Sequence, residues 1–380
     1  MKILFDHQIF SMQRFGGISR YFAELQKGLQ SLDSLSVDSC VKETENVHFH
    51  QIVMGQKDYQ NKSLNSDTLV NKIQNKLFPL EKKLKKENED SLKKISAGSF
   101  DIFHPTYYDP YFLPALEQKP FVLTVFDMIY EIFPEYYSSQ DVVQIRNSKK
   151  KLIENAHHII TISESAKNDI LSFYEIDKTK ISVVYLASTF SNNYVEKESN
   201  LSLPDKYLLY VGNRDKYKNF TFFILSIAEL MEKYKDLSVV VTGPPFTQSE
   251  LYTFSQLGIN KRIHHRFVND EQLPMLYSKA QAFIFPSLYE GFGIPVLEAF
   301  TCGCPCVLSN TSSLPEIAGE AALYFNPKNS HELRRQVETI MQNESLCTSI
   351  IEKGYQQLKN YSWEKTTLAT AEIYRNIVKQ

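Results

Sequence analysis

The 380-residue sequence has no apolar run long enough to cross a bilayer, no apolar segment with a small-residue cleavage site near its charged N-terminus, and no Cys-x-x-Cys pair. The first absence excludes a transmembrane helix, and the second argues against a secretory signal, so a soluble, cytoplasmic chain is expected. The third argues against a zinc knuckle. Cys302, Cys304 and Cys306 alternate as at a strand entrance, and five cysteines is an odd number, so reduced core thiols are expected. Net charge is also lacking. Lys+Arg 42 against Asp+Glu 44 gives −2, which offers no whole-molecule attraction for nucleic acid.

What is present is the composition of an ordinary globular protein, 43% hydrophobic and 23% charged, in a chain longer than one core usually organises. Two domains are expected. Short β-rich apolar runs alternate with amphipathic helical stretches, the pattern of parallel sheets built from βαβ units. In the first half Ile3 to Phe5, Ile102 to His104, Phe121 to Phe126, Ile159 to Ile162 and Ile181 to Tyr185 read as buried strands. Ser19 to Leu29 and Ser165 to Tyr174 read as helices, the latter capped by Ser163. The second half repeats the rhythm at Tyr207 to Val211, Leu237 to Val241, Ala282 to Phe285, Pro305 to Ser309 and Ala322 to Phe325. The polar stretch Ser188 to Asp205 reads as the linker, and Trp363 to Gln380 as a terminal helix.

One segment stands outside this rhythm. Asn71 to Lys94 carries eight lysines interleaved with Ile73, Leu77, Leu80, Leu84 and Leu92, which predicts a basic amphipathic helix broken near Pro79. Two readings stand side by side: a solvated face of the first domain, and a peripheral contact with anionic lipid headgroups.

The residues that carry chemistry gather where strands end. In the segment Phe285 to Glu298 a strand gives way to a loop with Gly291 and Gly293, then to a helix beginning near Ile294 with Pro295 in its first turn. The glycines let a ligand approach the backbone, and the helix aims unpaired N–H groups at it, which suits a diphosphate. Glu298, in the first turns of that helix, can accept bonds from vicinal hydroxyls such as those of a ribose. The loop Val211 to Asn219 follows another strand, and its Arg214 and Lys218 can clamp a diphosphate and offset charge on a leaving group. In the first domain Gly16 and Gly17 lie between the first strand and helix, able to bring backbone N–H groups to a phosphate or sugar oxygen. His104, Tyr107, Asp109 and Asp127 lie at or just beyond strand ends where they could reach the crevice.

These residues resemble glycosyltransferase family 4, retaining enzymes of the GT-B fold, in which two Rossmann-like domains face each other across a cleft. The most specific marker is Glu290 followed by seven residues and Glu298. Gly16-Gly17, Ile160 to Ser163, Lys218-Asn219, Cys302 to Pro305 and Pro315 to Gly319 support it. The resemblance implies an α/β protein with an acceptor-side domain at 1–187, a donor-binding domain at 188–362, and a terminal helix, 363–380, packed back on the first. It implies that Glu298 binds the donor ribose, that Arg214 and Lys218 bind the diphosphate, and that Glu290 and the backbone of Gly291, Phe292 and Gly293 touch the transferred sugar. The catalytic set is then Glu290, Lys218, His104 and Asp127, with Gly16 and Gly17 on the donor and Tyr107 and Asp109 on the acceptor side. Phe126 stands where many members carry histidine.

The implied reaction moves a sugar from a UDP- or GDP-sugar to a saccharide or lipid-linked acceptor in surface polysaccharide synthesis, with retention. No Asp-x-Asp occurs, so no metal and no cofactor are expected. Two alternatives on the same fold are a nucleotide-sugar 2-epimerase and a non-catalytic sugar-nucleotide-binding subunit.

Overall fold

The computed structural model describes residues 1–56, 59, 77–188, 190 and 201–379, with the backbone alone for 77–83. In the first half β1 (Lys2–Phe5) is flanked in parallel by β2 (Ser36–Ser39) and β3 (Ile102–His104), Ile3 lying opposite both Val37 and Ile102. Farther along the chain, β4 (Val122–Val125) pairs with β5 (His158–Thr161), and β5 with β6 (Ile181–Val183). A parallel bridge from Phe103 to Phe121 joins the two sets in the order β2-β1-β3-β4-β5-β6.

The second half is one parallel sheet of β7 (Tyr207–Tyr210), β8 (Ser238–Val241), β9 (Ile263–His265), β10 (Ala282–Phe285), β11 (Cys306–Ser309) and β12 (Leu323–Phe325). Its order, β12-β11-β10-β7-β8-β9, reverses direction between β7 and β10. That reversal is the topological switch point of a doubly wound sheet, the place outside the strand ends where such sheets take ligands. Strands β7, β8, β10 and β11 are buried throughout, which is why they read as continuous apolar runs.

All ten strands expected from sequence are present. The two that carried no apolar signal are β2, Ser-Val-Asp-Ser, and β9, Ile-His-His. Both are edge strands with half-exposed residues, so neither needs an apolar run. The terminal helix, Trp363–Val378, returns to the first half. Thr366 Oγ1 donates to Tyr185 O at 2.7 Å, and the Tyr374 hydroxyl meets His104 Nδ1 at 2.5 Å. A Cβ at Gly28, in the helix Gly17–Gln30, would strike the Thr367 side chain, so this glycine sets how closely the two helices approach. Tyr374 is fully buried, and burying a large apolar body of this kind contributes roughly 1.5 to 3 kcal/mol.

The lysine-rich helix runs Leu77–Ser96 without a break. Pro79 sits in its first turn, where the missing N–H would have had no partner, and so does not interrupt it. Lys94 Nζ lies 2.6 Å from Asp38 Oδ1, while Asp90 holds both Lys42 and Lys93. Residues 71–76 of the expected helix and most of the expected linker lie outside the described residues.

Candidate active site

The loop after β10 is pinned at almost every peptide. Ser312 Oγ accepts the Glu290 N–H at 2.9 Å, and Ser313 Oγ donates to the carbonyls of Glu290 and Phe292 at 2.9 and 2.7 Å. The Leu288 N–H donates to Tyr217 O at 2.7 Å, tying this loop to the one after β7. Gly293 then takes a left-handed conformation, φ 108°, that only glycine adopts cheaply, and starts the helix Ile294–Thr301. Two loops at the switch point are thereby fixed against each other, and the charges they carry meet. Lys218 Nζ lies 2.7 and 2.9 Å from the two Glu290 oxygens, and Ser287 Oγ donates to Glu290 Oε1 at 2.6 Å.

Glu298 projects from the next helix and is nearly buried. Tyr277 donates to its Oε2 at 3.1 Å. Burial pushes its carboxyl up to about 7, against the opposing pull of the Tyr277 hydroxyl and the Arg20 charge. Arg20 reaches over from the helix Gly17–Gln30 of the first half and forms an ion pair with Asp270.

Arg214 is placed differently from the expectation of an open phosphate clamp. Its Nε donates to Glu250 at 2.6 Å, its Nη2 bonds the Pro245 carbonyl at 2.7 Å, and its guanidinium lies between Phe220 and Phe246. Glu250 closes a capping box with Thr247, so Arg214 secures the helix Gln248–Gln256, and only its buried Nη1 lacks a partner among the described residues. Lys218, by contrast, reaches the switch point and meets Glu290 there.

On the facing side, Gly16 caps the helix Gly17–Gln30, and a Cβ on Gly17 would meet open space, so the backbone there is approachable. Asp127 follows β4 and meets the glycine loop directly. A Cβ on Gly291 would collide with the Phe126 carbonyl and stand 3.1 Å from Asp127 Cβ. Ser163 Oγ, besides capping its own helix by accepting the Ala166 N–H, donates to Gly291 O at 2.7 Å. Tyr107 is half-buried near Asp127, and burial first, then neighbouring Tyr130 and the Asp127 charge, push its hydroxyl up.

Two expected residues do not reach this site. His104 is wholly buried, with Nδ1 against Tyr374 and Nε2 2.9 Å from Thr124 Oγ1, and burial holds its ring down to about 3. It is a core histidine that anchors the terminal helix. Asp109 is exposed. It caps the short turn Pro110–Phe112 and accepts from Asn88 at 3.2 Å, fastening that turn to the helix Leu77–Ser96. Residues that sequence reasoning missed include Tyr277, Ser312 and Ser313, whose partners lie on a neighbouring strand–helix unit, and Arg20 and Tyr289, whose partners lie in the other half of the chain. Among the described residues, no group of three His, Cys, Asp or Glu side chains is arranged to hold a metal.

A cleft of about 640 Å³ at the junction is lined by Phe133, Glu164, Asp169, Tyr289, Ser312 and Glu316 among others. Glu316 accepts the N–H groups of Glu164 and Ser165 at 2.7 and 3.0 Å, filling the helix N-terminus there from the other half of the chain.

Two facing Rossmann-like halves are the architecture of the GT-B fold. Residues 15–187 match the model described as Glycosyltransferase Family 4, and residues 193–357 the one described as Glycosyl transferases group 1. The chain belongs to this glycosyltransferase family. It is 29% identical over 288 residues to the O-antigen chain mannosyltransferase B of Escherichia coli, covering 72% of this chain and 74% of that protein. It is 27% identical over 240 residues to the serotype-specific mannosyltransferase WbdA of Escherichia coli, of which it spans 29%. Among solved structures, HepE of Anabaena in complex with UDP-glucose superposes with a TM-score of 0.72 at 16% identity, covering 99% of this chain and 100% of that one. WaaG, a glycosyltransferase involved in lipopolysaccharide biosynthesis, superposes at 0.67 with 14% identity, covering 98% and 99%.

Proposed function

We propose that this glycosyltransferase moves a sugar, mannose being the first to test, from a nucleotide-diphosphate donor to a saccharide acceptor of a surface polysaccharide, with retention. The observation that carries the reading is the pairing of Lys218 with Glu290 at the switch point, beside the glycine loop and one helix turn ahead of Glu298. An ammonium there can take the diphosphate as charge develops on the leaving group, and the peptide N–H groups starting the helix Ile294–Thr301 add to it. Glu298 offers carboxylate oxygens as acceptors for vicinal ribose hydroxyls, and the buried Tyr277 hydroxyl, which donates to its Oε2, orients it. Mannose as the sugar, and a growing polysaccharide as the acceptor, are supported by the names of the relatives in Escherichia coli.

In this mechanism Lys218 exchanges Glu290 for phosphate when donor binds, and Glu290 is released toward the transferred sugar. Attack on the same face as the departing phosphate leaves the anomeric configuration unchanged, with a phosphate oxygen taking the acceptor's proton. No protein nucleophile and no metal are required.

The test is calorimetric titration with GDP-mannose and a panel of UDP-sugars, followed by release of nucleoside diphosphate with and without a mannosylated acceptor. Release that depends on acceptor supports transfer. Release or isomerisation at the same rate without acceptor overturns it.

A further inference from the structure

The turn that bears Asp127 is held more tightly than a loop at a cleft requires. The Phe126 N–H donates to the Tyr108 hydroxyl at 3.1 Å, and the Met128 N–H to the Tyr289 hydroxyl, from the other half of the chain, at 3.2 Å. The Asp127 carbonyl between them accepts from Lys149 Nζ at 3.1 Å. Asp127 Oδ1 takes the Ile129 N–H at 3.1 Å, which leaves Oδ2 without a partner among the described residues.

Lys149 is the unusual member. It is fully buried in the helix Ser139–Asn155, its ammonium 3.0 Å from the equally buried Glu131 and over the rings of Tyr108 and Tyr130 at 5.3 and 5.8 Å. Glu131's other oxygen takes the Tyr174 hydroxyl at 3.1 Å. A buried ion pair is a poor way to add stability, because desolvating two charges offsets most of their attraction, and an apolar pair of the same volume is commonly as stable. What an apolar side chain could not supply is an N–H for the Asp127 carbonyl.

We propose that Lys149 is a positioning residue for the acceptor side of the reaction: anchored by Glu131, it fixes the Asp127 turn so that Oδ2 faces the acceptor hydroxyl beside the glycine loop. This rests on the transfer reaction proposed above. Tyr108 and Tyr289 complete the clamp, and Tyr289 does so only when the two halves are together.

The experiment compares Lys149→Met with the double variant Lys149→Met/Glu131→Gln, measuring thermal midpoint, donor affinity and acceptor kinetics. The single variant strands a buried carboxylate and loses stability, whereas the double variant removes both charges and recovers it. If Lys149 positions Asp127, the double variant still shows kcat/KM for acceptor about tenfold or more below wild type, with donor Kd within about twofold. Wild-type acceptor kinetics in the double variant would make Lys149 merely structural and overturn the proposal. Should the double variant fail to fold, Tyr108→Phe removes one clamp hydroxyl, and the same acceptor-specific loss, or its absence, decides. A wild-type enzyme that binds no nucleotide sugar would instead count against the transfer reaction itself.

Discussion

Lys218 and Glu290, on the loops after β7 and β10, hold each other through both carboxylate oxygens, at 2.7 and 2.9 Å. The pair is partly shielded from solvent, and the Tyr217 carbonyl bonded to the Leu288 N–H keeps the two loops at this spacing. On the proposed reading, a bound diphosphate competes with Glu290 for the ammonium. Glu290→Gln removes that competitor, so nucleoside diphosphate should bind more tightly, by up to about tenfold for one charge-assisted bond. Turnover should fall by at least about a hundredfold if Glu290 acts on the sugar in the transition state. Titration and steady-state kinetics on one preparation read both. Weaker product binding would show that Glu290 orients Lys218 rather than competing for it.

Glu298 gives a pH signature with a defined sign. Burial raises its carboxyl from the ordinary 4.5 to about 7, so between these values the folded protein holds a proton that the unfolded chain has released. Its contribution to stability is therefore complete below about pH 4.5 and is lost as pH rises toward 7, with a slope of at most about 1.4 kcal/mol per pH unit. If Glu298 holds the donor ribose as proposed, donor binding should move the opposite way, because hydroxyls donate to the carboxylate. In Glu298→Gln the donor affinity should be weaker and should lose its dependence between pH 5.5 and 7.5. A wild-type affinity that stays flat over that range assigns the ribose contact to another group.

Gly291 tests whether the two halves must meet. Any Cβ there strikes the Phe126 carbonyl, which is backbone and cannot swing aside. Gly291→Ala should then hold the halves apart, break the Ser163–Gly291 bond and lower kcat about a hundredfold or more, since misplacement of about 1 Å can cost that much. The radius of gyration from small-angle scattering should rise, while each half stays folded by circular dichroism. An active variant with an unchanged radius would mean that the contact is dispensable.

What the sequence made legible, and what it did not, divides on how far apart the interacting residues lie. Strands β7, β8, β10 and β11 were readable because a strand covered on both faces must be apolar along its length. The Glu290 to Glu298 segment was readable because a strand, a glycine turn and a helix start are local events. His104 was misread because a histidine at a strand end looks the same whether it faces a cleft or a returning helix, and Tyr374 is 270 residues away. Arg214 looked like a free cation for the same reason: its carboxylate, Glu250, lies on the next β–α unit. The Asp127 clamp, with Lys149 buried in a helix whose neighbouring Lys150 and Lys151 are exposed, left no periodic trace at all.

Metal independence is a separate expectation. If Lys218 takes the diphosphate as proposed, with the helix Ile294–Thr301 opening beside it, the protein itself meets the charge on the leaving group. Turnover should persist in EDTA. Complete loss, restored by added magnesium or manganese, would mean that the diphosphate recruits an ion and that Lys218 plays a lesser part.

The lysine-rich helix bears on where the acceptor is met. Lys94 is bound to Asp38 and the Ser39 carbonyl, and Lys93 lies against Asp90, so its C-terminal lysines are engaged with the protein. Lys85 and Lys86 are exposed, and Lys72 and Lys76 lie outside the described residues. If the helix docks on membrane, each exposed lysine near an anionic surface adds about 1 kcal/mol, an attraction that salt screens within roughly 10 Å. Binding to phosphatidylserine-containing liposomes should then appear at low salt and fade as ionic strength rises. Replacing Lys82, Lys83, Lys85 and Lys86 with glutamine should abolish it while leaving turnover on a soluble acceptor analogue unchanged, because this helix belongs to the first half of the chain and the proposed donor site to the second. A wild-type protein that ignores anionic liposomes at low salt makes this helix a solvated face, and on the proposed reading the acceptor then reaches the cleft from solution.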